Sequence, residues 1–265
     1  MSLVSNLDNS INGARKVLTD SIFTSGNAMY NVAEAIGTGV RPIAITLLGL
    51  FFVIEFLKII THNDILKWQT GFKIAAKLVM AYVALDISSQ LTEAIYSTGG
   101  DLINNVVSHV GGLDSTLGAA VKDKLDSALN GLGFLEAIGF IGTIGIAFIV
   151  VWIIGVVIMV LAYARSIELL MHIAIAPIPC AFLLLEDRHS RIFWKFIMSF
   201  AANCLQGFFI VLSIALYNAL VEQIYNTMAD NVDLPAITGA LLLGTIVLLV
   251  TVVKSGTLAK QILDV

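Results

Sequence analysis

The sequence predicts an all-α fold, a polytopic membrane helical bundle, and three observations predict it. Of its 265 residues, 58% are hydrophobic and only 13% are charged, too little polar surface to cover a water-soluble globule of that size. The apolar residues are gathered into runs long enough to cross a hydrocarbon core of roughly 30 Å, which takes about 20 helical residues. None of these runs alternates polar and apolar at every second residue, as the strands of a membrane β-barrel do. Five spanning helices are expected, with a short proline-broken segment that re-enters the membrane or lies buried against the bundle. Six plain crossings are the alternative.

Residues 1–41 form an N-terminal segment in which Val4, Leu7, Ile11, Ala14, Leu18 and Ile22 recur at three- and four-residue steps among polar residues. That is the pattern of an amphipathic helix, suited to the membrane surface, to a partner, or to folding back onto the chain itself. No compact apolar stretch followed by a small-residue cleavage site occurs there, so the first spanning helix is expected to act as the insertion signal. Residues 42–96 hold the first two transmembrane helices. The first, 42–60, opens at Arg41 and Pro42, where a helix start tolerates a proline. The second, 74–96, carries Asp86, Gln90 and Glu93 at helical steps in its less apolar half. Intramembrane polar stripes face a bundle interior or a wet cavity, so these three are read as lining a pore or contacting another subunit. Glu55 and Lys58, three apart on the first helix, are expected to pair.

Residues 97–134, rich in Gly, Asp, Asn and Ser, read as an extracytoplasmic loop with amphipathic pieces around Val106 and Val121. Residues 135–253 form the transmembrane core. Within it, 137–164 carries no charged residue, and Ile, Val, Phe and Leu make up two thirds of the stretch 140–160. At about −0.3 to −0.6 kcal/mol each, those side chains favour insertion by several kcal/mol. Gly139, Gly142 and Gly145 give one smooth face for close helix packing. Segment 169–185 is apolar but short and contains Pro177 and Pro179; runs 192–220 and 234–253 follow, divided by an acidic loop, and residues 254–265 are a short cytoplasmic tail.

Loop charge decides how segment 169–185 is counted, because cytoplasmic loops collect Lys and Arg. If it does not cross, Lys58, Lys67, Lys73, Lys77, Arg165, Arg188, Arg191, Lys195, Lys254 and Lys260 share one face, ten cations, against five (Arg15, Lys16, Arg41, Lys122 and Lys124) on the other. Tyr163 and Trp194 then fall at the inner interface and Tyr96, Tyr217 and Tyr225 at the outer one, as aromatic belts require. The N-terminus is outside and the C-terminus cytoplasmic. The prolines agree, since each removes a donor and biases its predecessor away from helix, and broken backbone at membrane depth survives only inside protein or beside water.

Arg165 and Glu168 stand three apart on one helix face and are read as a pair near the cytoplasmic interface, a structural clamp or a contact along the substrate path. Glu186, Asp187, Arg188, His189 and Arg191 make a mixed-charge turn suited to docking an ATPase or another subunit, and Lys195 snorkels to the same surface. Asn203 and Gln206 are expected to hydrogen-bond across helices. The four histidines lie far in sequence from one another and from Cys180 and Cys204, so no metal site is expected, nor a disulfide. No glycine loop with GK[ST] occurs, which excludes the energising ATPase; no Ser-His-Asp or HExxH pattern stands out. Neither enzyme activity nor a cofactor is expected, and the net charge of −4 leaves no bulk basic surface for nucleic acid.

The order of features from 164 to 218 resembles the TrbL-like, VirB-six-like polytopic inner-membrane subunits of bacterial type IV secretion and conjugation systems. Tyr163 and Arg165 follow a long apolar helix; "IAPIPCAFLL", the charged "EDRHSR", and "FWKFIMSFAANCLQGFFIVL" with Trp194 and Gln206 come next. The chain departs from larger relatives in having almost nothing after Lys254. The resemblance implies a multimeric channel or assembly-platform subunit that works with other type IV secretion membrane subunits and ATPases. It implies residence in the lipid bilayer of the inner membrane, homo-oligomers, and transient contact with translocating DNA. Two other readings remain open. A small-solute transporter is suggested by the proline-broken helix, although no second copy of that segment is evident, and a holin or toxin pore by the glycine-rich apolar helices.

Overall fold

A computed structural model describes residues 12–14, 16–18, 27–61, 68–109, 134–185, 190–227 and 234–264; residues 68–70, 134–148, 221–222, 224–227, 234–238 and 240–241 are described by backbone alone. Every described element is helical: α1 (Ala28–Thr61), α2 (Trp68–Asp86), α3 (Ser88–His109), α4 (Phe134–Ile175), α5 (Pro177–Ala181), a 3-10 turn (Phe182–Leu184), α6 (Ser190–Thr227) and α7 (Leu234–Ile262). Four of these stretches are long and apolar enough to span a membrane, Ala28–Thr61, Ile149–Leu184, Ser190–Leu220 and Leu242–Ile262, and the bent pair α2–α3 makes a fifth when counted as one. The protein is therefore an all-α polytopic membrane bundle. Large apolar side chains stay exposed along α4 (Ile149, Trp152, Val156, Val160, Tyr163, Ile167) and along α7 (Leu243, Val247, Val250), as a lipid-facing surface requires.

Two boundaries differ from the sequence expectation. Pro42 does not open the first helix; it lies inside α1, which begins several turns earlier at Ala28. A membrane helix tolerates such a proline because neighbouring groups take over the freed backbone. In the turns on either side of it the Thr38 hydroxyl donates to the carbonyl of Glu34 and the Thr46 hydroxyl to that of Pro42, both at 2.9 Å; neither bond reaches the Thr38 carbonyl, the one that a donor at position 42 would serve. The second run is not one straight helix to Tyr96 either, since α2 and α3 meet at 62° around Ile87. Backbone bonds pass through the bend, Ile87 N–H to Val83 and Leu91 N–H to Ile87, each at 2.9 Å. The kink coincides with the Ser88–Ser89 pair, whose carbonyls both accept from the Thr92 hydroxyl, and serine pairs are recognised kink sites.

The chain forms two compact units. Unit 1 comprises residues 1–20, 100–165 and 206–259. Its core joins Ile103 of α3, Val151, Ile154, Ile158 and Ala162 of α4, Ile210, Val211, Ile214 and Ala215 of α6, and Leu248 and Val252 of α7. Ala14 and Leu18 of the N-terminal segment are buried in the same cluster, so at these positions the amphipathic pattern folds onto the protein itself. Because lipid is as apolar as a leucine side chain, such a core is held by close packing and small residues more than by solvent exclusion; Ala162, Ala215, Thr245, Ser255 and Ala259 are all buried in this unit.

Unit 2 comprises residues 21–99, 166–205 and 260–265. Here the proline segment is packed inside protein. Cys180 shares a cluster with Ala44 of α1, Leu85 of α2 and Phe193 of α6, and Ala181 and Leu184 share another with Leu48 and Ala81. The Phe51 and Phe182 rings lie 4.8 Å apart, and Pro177 and Pro179 are buried. Both placements expected for 169–185, re-entrant or buried against the bundle, agree with this packing. The break is milder than the proline rule predicts, since α4 continues to Ile175 and Ala176 keeps right-handed helical angles (φ −50°, ψ −36°). Pro177 opens α5 at a position where no donor is needed, so the interruption is confined to one turn, in which Ala176 N–H reaches the carbonyl of Ile173 at 3.3 Å.

Candidate functional site

In unit 1, α4, α6 and α7 meet in a polar layer built on two glycines. Arg165 of α4 is 3% exposed. A β-carbon placed on Gly207 of α6 would stand 2.3 to 2.5 Å from the guanidinium carbon and both terminal nitrogens, so the guanidinium lies flat on backbone that only glycine leaves bare. The preceding residue, Gln206, reaches the other way: its amide nitrogen is 3.1 Å from the point a β-carbon on Gly256 of α7 would occupy. Ser255, fully buried, donates its hydroxyl to the carbonyl of Val252 at 2.6 Å. An arginine does not lose its proton in proteins, so this layer is equipped to clamp helices or attract an anion and not to exchange protons.

The candidates that follow in sequence belong to unit 2. Glu168 is half-buried, and its backbone carbonyl accepts a hydrogen bond from Nδ1 of His172 at 2.8 Å. The His172 ring lies 5.7 Å from that of Phe196 and 5.9 Å from that of Phe200. Pro177 and Pro179 are buried as described, while Arg191, Trp194 and Lys195 at the start of α6 are exposed. Phe193 sits edge-on to Trp194 and points inward. Arg188 and the rest of the turn 186–189 lie outside the described residues, as do Lys122, Lys124 and residues 110–133 of the expected loop. Gly139, Gly142 and Gly145 are helical in α4, but the packing of their face lies outside the described side chains.

The polar stripe is split by the bend. Asp86 closes α2 and forms an ion pair with Arg41 of α1, while Gln90 and Glu93 lie on α3 with their side chains exposed. The opposite face of α3, at Ser88, Thr92 and Tyr96, is buried. The expected pairing of Glu55 with Lys58 is present at 2.8 Å. Sequence reading missed Arg41 as the partner of Asp86, because 45 residues separate them. It also missed Gly207 and Gly256; the adjacency of Gln206 and Gly207 was their only signal. Among the described residues no three His, Cys, Asp or Glu side chains are grouped to hold a metal ion.

The family of TrbL/VirB6 plasmid conjugal transfer like proteins matches the chain over residues 18–177. No curated protein and no solved structure matches it. The matched region takes in α1 to α4, Arg165, Glu168 and Pro177. It overlaps the stretch on which the sequence resemblance rests, 164–218, only at 164–177, so the two point to the same family from largely different residues. The match covers more than half of the chain and sets aside the transporter and holin readings. Its apolar spans and this match together make the protein a multi-pass membrane member of the TrbL/VirB6 conjugal transfer family, and so a subunit of a conjugal transfer or type IV secretion system.

Proposed function

We propose that the protein is a non-enzymatic subunit of the cytoplasmic membrane, a structural channel or assembly platform that helps DNA or protein substrate cross that membrane. The observation that carries this reading is membership of a conjugal transfer family across residues 18–177. The ten-to-five distribution of Lys and Arg supports an outer N-terminus and a cytoplasmic C-terminus. Exposed Arg191, Trp194 and Lys195 on that cytoplasmic side are suited to contact with secretion ATPases or neighbouring subunits. Gln90 and Glu93 are exposed on a helix whose other face is buried, and polar groups at such positions are costly against lipid. They are suited to contact between copies in a homo-oligomer or to a wet passage touched in transit by DNA.

A photo-cross-linking residue at Gln90 or Glu93, introduced during active transfer, tests this reading. Capture of another subunit, a second copy or the transferring strand is expected there, with none from Val79, which is exposed among apolar neighbours on α2. Cross-links from both α3 positions to lipid alone would overturn it.

A further inference from the structure

Between α6 and α7 in unit 1 runs an open groove of about 180 Å³, lined by Ser213, Leu216, Tyr217 and Leu220 on one side and by Gly244, Val247, Leu248 and Thr251 on the other. Gly244 forms part of its wall, and a β-carbon there would meet the Leu220 and Tyr217 side chains at 3.4 Å, an ordinary contact. Each hydroxyl in the lining is engaged within the protein. Ser213 donates to the carbonyl of Phe209 at 2.7 Å, Thr251 donates to that of Val247 at 2.5 Å, and the Tyr217 hydroxyl meets that of Thr245 at 3.3 Å. The groove therefore offers a ligand apolar contact and little else. A dry apolar cavity of roughly 150 Å³ holds a benzene-sized ligand, so this one has room for about six carbons.

Lys254 marks one end. It follows the apolar run 234–253 and lies two turns from Val247 on the same outer edge of α7. Its side chain is exposed, and among the described residues no carboxylate forms an ion pair with it. From Lys254 to Gly244 is ten residues, about 15 Å of helix, which is half the thickness of a hydrocarbon core of roughly 30 Å. Val247 and Leu216 on the rim are 58% and 61% exposed, so the groove opens toward the bilayer.

We propose that this groove holds one acyl chain of an anionic phospholipid, in the leaflet on the side of the C-terminus, with the lipid phosphate at Lys254. The charge selects the headgroup and the groove orders the chain.

The test is spin-label resonance on the purified full-length protein in phosphatidylcholine vesicles carrying labelled phosphatidylglycerol or labelled phosphatidylcholine. Wild type should immobilise the anionic lipid more strongly, and Lys254 should account for about fivefold of that preference, the roughly 1 kcal/mol that one basic side chain contributes near an anionic headgroup. Lys254→Gln should remove that share and Lys254→Arg should keep it, while Thr251→Trp, which fills the groove, should release about one immobilised lipid per chain whatever its headgroup. Equal immobilisation of both lipids by wild type would overturn the proposal. So would disulfide-linked dimers of Leu216→Cys formed in vesicles, because the groove would then hold a second copy; Cys180 and Cys204 are buried and offer no exposed thiol to confuse that result.

Discussion

Replacing Gly207 by alanine should destabilise the protein while Arg165 is present and stabilise it once Arg165 is gone. The new β-carbon would sit 2.3 Å from the guanidinium carbon, well inside normal contact, and the 3% exposure of Arg165 gives the side chain little room to withdraw. Overpacking of this kind costs about 1–3 kcal/mol, against a helix-propensity gain of up to about 1 kcal/mol for Gly→Ala. The net loss is about 1 kcal/mol, which for a chain of this size is a fall of about 2–4 °C in thermal midpoint, measured on protein in detergent. In an Arg165→Ala background the clash vanishes and the propensity gain remains, so Gly207→Ala should then raise the midpoint by a similar amount. A double-mutant cycle reads this reversal of sign directly as coupling between contacting residues. Equal effects of Gly207→Ala in both backgrounds would refute the contact.

Three further outcomes follow from the packing. Arg41→Glu and Asp86→Arg should each lower stability by less than about 1 kcal/mol, because an ion pair with both partners substantially exposed contributes little, and the double exchange should restore the midpoint measured by thermal unfolding. Ala81→Leu, at a fully buried position against Ala181 and Leu184, should cost about 1–3 kcal/mol by overpacking and reduce the amount found in the membrane by immunoblot. Leu18→Ala should cost about 2–5 kcal/mol, as buried leucine truncations do, and Leu18→Asp should expose the N-terminal segment to added protease in inverted or right-side-out vesicles, whichever presents that face.

Much of the bundle was legible because its signals are local. Apolar runs of membrane-crossing length mark the spans, and Glu55 and Lys58 are paired one turn apart. The interruption after Ile175 was readable from Pro177 and Pro179, though not its mildness, which depends on Pro177 falling at the first position of a new helix. Pro42 was misread for a related reason: the same proline serves a helix start or an interior, and only the neighbouring backbone decides. The bend at Ile87 was hidden, since Asp86, Gln90 and Glu93 keep helical spacing in sequence whether or not the axis turns between them. Partners distant in sequence were the least legible. Arg41 with Asp86, Arg165 with Gly207 and Gln206 with Gly256 join different helices, and a glycine that serves as a seat for a side chain looks in sequence like any other.

The most direct test of the central claim, that this membrane protein is a working part of a conjugal transfer machine, is the DNA transfer frequency from donor cells lacking the gene. Complementation in trans should compare wild type with an Arg165→Ala, Glu168→Ala double variant, with membrane levels followed by immunoblot. The account predicts that deletion abolishes transfer, that wild type restores it, and that the variant restores less at equal membrane level. Unchanged transfer from the deletion strain would contradict the account.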